Sequence, residues 1–274
     1  MESLRWYYPE SIDEALDLLS QKGSIIHGGG TFILKGAINS ANTIIDLQKI
    51  PLKFFTITEN SLEIGSLNTY SDIIENLSDL YPDHILVQSL TSAASTPLRN
   101  RITLGGSICA FPIWSDIIGP LIALDSNIEL ATKTGEKILD IVEYIKTPEL
   151  RRNTIILGAK IHDNSWKSYY FSAKRTRFDL SAFNITVLWK NDGRIINDIR
   201  IVVVGNTTRY VRLSEIEDKI RGHSLDNVDI DDAISDIDMK FSDKNLGSGE
   251  YLQKLFAVEM KNALISIQKN IDGR

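Results

Sequence analysis

Apolar positions along the chain follow two rhythms, and the change between them predicts helices and strands. Ala15, Leu16, Leu18 and Leu19 form a stripe at helical spacing behind Ser11-Ile12-Asp13-Glu14, where a serine followed by a glutamate marks a capped start, so a helix is expected over 11–21. Short apolar runs at 24–27 and 43–47 read as buried strands, and the β-rich segments 54–58 and 62–66, separated by Glu59-Asn60, read as a hairpin. Thr69-Tyr70-Ser71-Asp72 repeats the cap pattern before Ile73, Ile74 and Leu77, and another helix is expected over 85–94. Residues 117–124 read as an apolar helix interrupted at Gly119-Pro120. A strand at 128–131 turns through Lys133-Thr134-Gly135 into 137–139, and 154–161 forms a further strand.

The polar stretch His162-Asp163-Asn164-Ser165 marks the expected domain boundary, because the pattern changes after it to long antiparallel segments. These are 182–189, a turn at Asn191-Asp192-Gly193, and a return strand over 194–204. Helical periodicity dominates from Leu213 and ends in an amphipathic segment, 250–268, with Leu252, Leu255, Phe256 and Leu264 on one side. An α+β chain of two domains is therefore expected, divided into residues 1–162 and 163–274.

Two glycine clusters stand where apolar runs stop: Ile25-Ile26-His27-Gly28-Gly29-Gly30-Thr31 and Thr103-Leu104-Gly105-Gly106-Ser107. Consecutive glycines leave backbone N–H groups unshielded by any Cβ, which suits the oxygens of a phosphate; two such loops could hold a diphosphate. Taken alone, such a cluster is most often just a turn that needs positive φ. The spacing fits neither a Rossmann fingerprint nor a Walker loop, since Gly28-Gly29-Gly30-Thr31-Phe32-Ile33 lacks the third glycine at the required offset and no βαβ unit surrounds it.

Charge and cysteine count narrow the partners. A net charge of −6 at pH 7 and a pI near 5.3 argue against nucleic acid, which calls for a basic stripe. One cysteine, Cys109, excludes an intrachain disulfide and makes a thiolate-built zinc or iron–sulfur centre implausible in this chain. The four histidines, His27, His84, His162 and His223, show no metal-ligand spacing and read as surface or satisfied core residues, so no metal site is expected. No segment approaches the roughly 18 apolar residues of a membrane span. Without a secretory pattern at its start, the chain is expected in the cytoplasm.

Around the second cluster, Arg99, Asn100, Thr103, Gly105, Gly106, Pro112 and Asp116 fit the pattern Arg-Asn-x-x-Thr-Ile-Gly-Gly-Asn followed by Pro and Asp. That pattern resembles the flavin-binding subunit or domain of the molybdenum hydroxylases, the xanthine dehydrogenase and carbon monoxide dehydrogenase family. The first cluster is similar to the family's Ala-Gly-Gly-Thr-Asp-Leu, and Ile64-Gly65-Ser66-Leu67-Asn68-Thr69 to its Ile-Gly-Ala-x-Thr-Thr. The likeness runs on through Leu121-Ile122-Ala123-Leu124-Asp125, the basic stretch from Lys174-Arg175 to Asn184, and Gly249-Glu250-Tyr251-Leu252.

The resemblance implies a vanillyl-alcohol-oxidase-like FAD-binding domain of two small α/β lobes, followed by a smaller domain of antiparallel strands and helices. It implies FAD as cofactor, its diphosphate held by Gly28, Gly29, Gly30, Thr31, Phe32 and Ile33 and by Thr103, Gly105, Gly106 and Ser107, with hydroxyl donors from Thr31, Thr103 and Ser107. Asp116 suits ribityl hydroxyls, or equally a helix N-cap before Ile117; Ile156 packs on the flavin ring or is simply core. Lys174 is a candidate basic residue near the flavin edge, and Arg99 and Arg101 are structural rather than ligands. Phe32 and Ser107 depart from the family's short polar residue and asparagine.

The implied function is that of the FAD subunit of a hetero-oligomeric molybdopterin-dependent hydroxylase. Substrate is oxidised on a large molybdopterin-binding subunit, electrons pass through 2Fe-2S clusters on a small subunit, and the flavin hands them to an acceptor such as NAD. The protein then supplies placement and electrostatics, with no catalytic side chain. The competing readings are a stand-alone FAD oxidoreductase, which would need a convergent base, and a scaffold that has lost the cofactor.

Overall fold

The computed structural model describes residues 4–33, 36–235 and 237–271. Contacts group the chain into two compact units, each discontinuous in sequence. The first comprises residues to Asn76, Ser95–Phe111 and Asp125–Asn164; the second comprises Leu77–Ala94, Pro112–Leu124 and the residues from Ser165 onward.

The first unit contains two sheets. One is parallel and three-stranded, with Thr43–Asp46 between Arg5–Tyr7 and Ser24–His27. All four residues of the central strand are buried, as its apolar run predicts. The edge strand Arg5–Tyr7 is exposed at every position and carries no periodic signal, so backbone pairing alone defines it. The helix Ile12–Leu19 begins as expected: Ser11 Oγ accepts from Glu14 N at 3.2 Å. Glu14 Oε2, however, accepts from Glu10 N at 2.9 Å, one residue further out than an ordinary capping box.

The second sheet of this unit is antiparallel and five-stranded, ordered Phe55–Ile57, Leu62–Gly65, Ile155–Ile161, Asn127–Thr132, Gly135–Asp140. Both hairpins expected from the sequence are present. A register shift between Glu129 and Leu130 leaves Leu157 without a partner on that side, and its carbonyl accepts from Ser66 N at 2.8 Å. One apolar cluster ties the two sheets together: Ala15 and Leu16 of the helix, Ile45, Leu47, Ile50 and Leu52, and Ala131 and Ile155 of the large sheet. Each fully buried leucine or isoleucine contributes about 1.5–3 kcal/mol, so Leu16→Ala would loosen this joint.

The second unit is built on an antiparallel sheet ordered Tyr210–Arg212, Ile195–Val204, Asn184–Asp192, Lys167–Ser172. The expected turn carries Gly193 at φ +53°. Ile185, Val187 and Trp189 alternate onto the face that packs with Leu252, Phe256, Met260, Leu264 and Ile267 of the helix Gly249–Ile271. The opposite face meets the helix Ile118–Ala123, and there the sequence expectation needs correction. Gly119-Pro120 does not interrupt this helix; it forms the first turn, where proline's missing N–H costs nothing. A Cβ on Gly119 would stand 2.9 Å from Thr186 Oγ1, so glycine is required for close helix-to-sheet packing.

Candidate functional site

Three backbone segments of the first unit meet at the glycine clusters. Gly28 follows the strand Ser24–His27, and a Cβ on it would stand 2.9 Å from Thr103 Oγ1. A Cβ on Gly29 would fall on the carbonyl oxygen of Arg101, whose Nε donates to Gly29 O at 3.2 Å. Gly30 has φ +76°, a conformation that glycine adopts without strain. The third segment follows the hairpin strand Leu62–Gly65: a Cβ on Gly105 would lie 2.8 Å from Ser66 Cβ. Asn68 braces this corner by donating to Phe54 O at 2.6 Å and to Gly65 O at 3.0 Å. The glycines that look like a ligand cradle in sequence therefore serve first to let these backbones touch.

The two clusters differ in what they leave free. The second opens a short helix, Leu104–Ala110, rather than ending a strand, with Thr103 as N-cap. Leu104 N donates to Asn68 O, Gly105 N to Ser66 O, Gly106 N to Thr103 Oγ1 and Ser107 N to Thr103 O, at 2.9, 2.9, 3.2 and 3.0 Å. Ser107 Oγ donates to Thr103 O and accepts from Tyr70 Oη, each at 2.9 Å, so its hydroxyl is also engaged. The expectation that both clusters present backbone N–H groups is thus corrected for the second. On the first, the backbone N–H groups of Gly29, Gly30, Thr31 and Phe32 donate to no other described residue. Four successive backbone donors on a glycine turn, with no acceptor among the described residues, are the kind of arrangement that meets an anion. Phe32 is 42% exposed, Thr31 and Ile33 are half-buried, and Gly36 N donates to Ile33 O at 3.3 Å.

Ser66 and Asn68 belong to the segment that resembles the family in sequence but carry no site role there; the glycines at 65 and 105 signal the close backbone approach. His27 was read as a surface or core residue; its ring lies beside the first cluster, with Nδ1 3.1 Å from Asp46 Oδ2. Ile156 is buried in the strand Ile155–Ile161 opposite Leu130, beside the register shift.

Asp116 belongs to the second unit and is not an N-cap, because Ile117 holds that position of the helix Ile118–Ala123. Its Oδ1 accepts from Tyr170 Oη at 2.8 Å and Ser172 Oγ at 3.2 Å, and Lys174 Nζ lies 3.3 Å away. Burial pushes the carboxyl up from its ordinary value, while Lys174 and the two hydroxyls oppose the shift. Lys174 also donates to Ser92 O at 2.9 Å and is almost wholly buried, so its ammonium is engaged by Asp116 and a backbone carbonyl. Among the described residues, no group of three or more His, Cys, Asp or Glu is arranged to hold a metal ion, and no helix is long and apolar enough to cross a membrane.

A two-sheet unit bearing the glycine clusters together with an antiparallel-sheet unit is a fold shared with chains of known structure. Quinoline 2-oxidoreductase from Pseudomonas putida 86 has a similar chain, with TM-score 0.89 and 16% identity over 98% of each chain. CO dehydrogenase from Hydrogenophaga pseudoflava gives TM-score 0.86 and 19% identity over 95% of each chain. Residues 2–161 match the family described as the FAD binding domain in molybdopterin dehydrogenase, and 168–267 match the CO dehydrogenase flavoprotein C-terminal domain. The chain belongs to this family of molybdenum hydroxylase flavoproteins, and is thus an FAD-binding oxidoreductase subunit. It is similar to the glyceraldehyde dehydrogenase medium chain of Sulfolobus acidocaldarius, 25% identical with 85% of each chain covered. The nicotine 6-hydroxylase medium subunit of Paenarthrobacter nicotinovorans is likewise 25% identical, with 82% of each covered.

Proposed function

We propose that this chain is the electron-relay subunit of a hetero-oligomeric molybdopterin-dependent dehydrogenase or hydroxylase of the cytoplasm. It works beside a large subunit that carries the molybdopterin and a small one that carries 2Fe-2S clusters, and its flavin delivers electrons to an acceptor such as NAD. When bound, FAD supplies two-electron and one-electron chemistry between the clusters and that acceptor.

The observation that carries this reading is the row of N–H groups at Gly29, Gly30, Thr31 and Phe32, which donate to no described residue. In this reading residues 28–33 receive the diphosphate, with the donors already oriented by the Gly29 contact to Arg101. The second cluster takes the supporting part: Thr103, Gly105, Gly106 and Ser107 form the rigid wall, and Gly106 leaves backbone accessible. Ile156 offers an apolar surface for the flavin ring. Asp116 has a narrower part, since Oδ2 accepts from no described residue and keeps capacity for a ribityl hydroxyl. In this reading the FAD-binding domain is residues 1–162 and the second domain 163–274, although Leu77–Ala94 and Pro112–Leu124 group with the second compact unit. These side chains bind and orient; none is assigned a proton transfer.

A stand-alone oxidoreductase would use a convergent acid or base, whereas Asp116 is held by Lys174 and two hydroxyls, Glu217 by Arg212 and Ile201 N, and Asp46 accepts from Gln48 N. Co-expression with candidate molybdopterin and iron–sulfur subunits tests the relay. Stable co-purification, with flavin reduction by substrate only when all three are present, supports it. Oxidation of an organic substrate by the isolated chain with an added acceptor overturns it.

A further inference from the structure

His27 closes the strand that feeds the first glycine cluster. Its Nδ1 is at ion-pair distance from Asp46 Oδ2, 3.1 Å, without the alignment of a linear hydrogen bond. Asp46 is itself fixed, because Oδ1 accepts from Gln48 N at 3.0 Å. Trp6 meets the imidazole edge-on, 5.1 Å between ring centroids and 66° between planes. With one nitrogen turned to Asp46, the other faces the loop: Nε2 lies 2.7 Å from the point a Gly30 Cβ would occupy, and Arg101 Nη2 lies 3.5 Å from the same point. Nε2 makes no hydrogen bond to a described residue. Phe32 offers the loop no polar side-chain group.

We propose that His27 is a cofactor-binding residue whose imidazolium, held by Asp46, adds one positive charge and one donor to the N–H row at 29–32, so that FAD retention follows its protonation. This rests on the reading of the first cluster as the diphosphate site. The charged groups facing the imidazole are Asp46 on the central strand and Arg101 ahead of the glycine helix. From the edge strand comes Trp6, which does not titrate and stacks on Tyr8; Arg5 and Tyr7 alternate to the opposite face. A diphosphate beside Nε2 favours the charged ring, so binding takes up a proton and weakens as pH rises.

Flavin fluorescence on the full chain, titrated with FAD from about pH 5.5 to about 8.5, tests this for the wild type, His27→Gln and His27→Lys. The wild type is expected to lose about tenfold in affinity across that range, roughly the effect of one screened charge contact. His27→Gln is expected to bind weakly at every pH, and His27→Lys tightly at every pH. A flat wild-type profile, or a His27→Gln profile like the wild type, overturns the proposal while leaving the diphosphate site standing. Absence of FAD binding at any pH in the wild type overturns both.

Discussion

Gly29 and Arg101 are in direct backbone contact: Arg101 Nε donates to Gly29 O at 3.2 Å, and a Cβ on Gly29 would occupy the place of the Arg101 carbonyl oxygen. The glycine loop is thus shaped by the second segment, while the N–H groups of residues 29–32 donate to no described residue.

Gly29→Ala should therefore act on the fold as well as on the cofactor. The added methyl forces the loop and residue 101 apart, an overpacking cost of about 1–3 kcal/mol, with loss of FAD. Denaturant unfolding with a wild-type midpoint would contradict the contact.

Gly106→Val separates cofactor binding from stability. A Cβ at Gly106 meets only Thr103 Oγ1, at 2.9 Å, so the expected structural cost is the Thr103 cap, about 1 kcal/mol. The purified variant should remain folded and lose its flavin absorbance. Unchanged flavin occupancy would remove Gly106 from the site.

Stability should fall on mild acidification because of His84, which caps the helix Ile85–Ser92 by accepting from Leu86 N at 3.2 Å. Burial lowers its imidazole from 6.5 to about 4. The unfolded chain takes up the proton near 6.5 and the folded chain resists until about 4, so stability present above 6.5 is lost through that window, by about 3 kcal/mol at its lower end. His84→Asn keeps a capping acceptor without titrating, and its unfolding free energy should depend less on pH. Identical slopes for the two proteins would contradict the assignment.

Lys174→Met should destabilise the second unit by about 3 kcal/mol, since Asp116 is left buried with hydroxyl partners only. Burial already raises the Asp116 carboxyl, and removal of Lys174 raises it further. A raised carboxyl favours the fold at low pH and loses that contribution as pH rises, so the variant's deficit should be greatest near neutrality and shrink on acidification. Thermal unfolding at several pH values distinguishes this from a deficit independent of pH.

Legibility in the sequence followed burial. The run Thr43-Ile44-Ile45-Asp46 and the hairpins are apolar enough to declare themselves, whereas the edge strand Arg5–Tyr7 is wholly exposed and the strand Lys167–Ser172 only half-buried. Glycine positions were visible but their causes were not. Gly105 and Gly119 are needed because Ser66 and Thr186 come close, and only the folded chain brings those residues into reach. The same limit applies to the donors: the second cluster's N–H groups are consumed by Ser66, Asn68 and Thr103. Asp116 was singled out by resemblance, while its Lys174 and Tyr170 partners follow from the sheet Asn184–Asp192 with Lys167–Ser172 and the turn beyond it.

The central claim is that the first glycine cluster of this chain holds FAD. Titration of the purified full chain with FAD, followed by flavin fluorescence and by the visible spectrum, should saturate at one FAD per chain in the wild type and fail to saturate in Gly29→Ala. A wild-type chain that shows no bound flavin at saturating FAD, or a Gly29→Ala chain that binds it equally well, would contradict that claim.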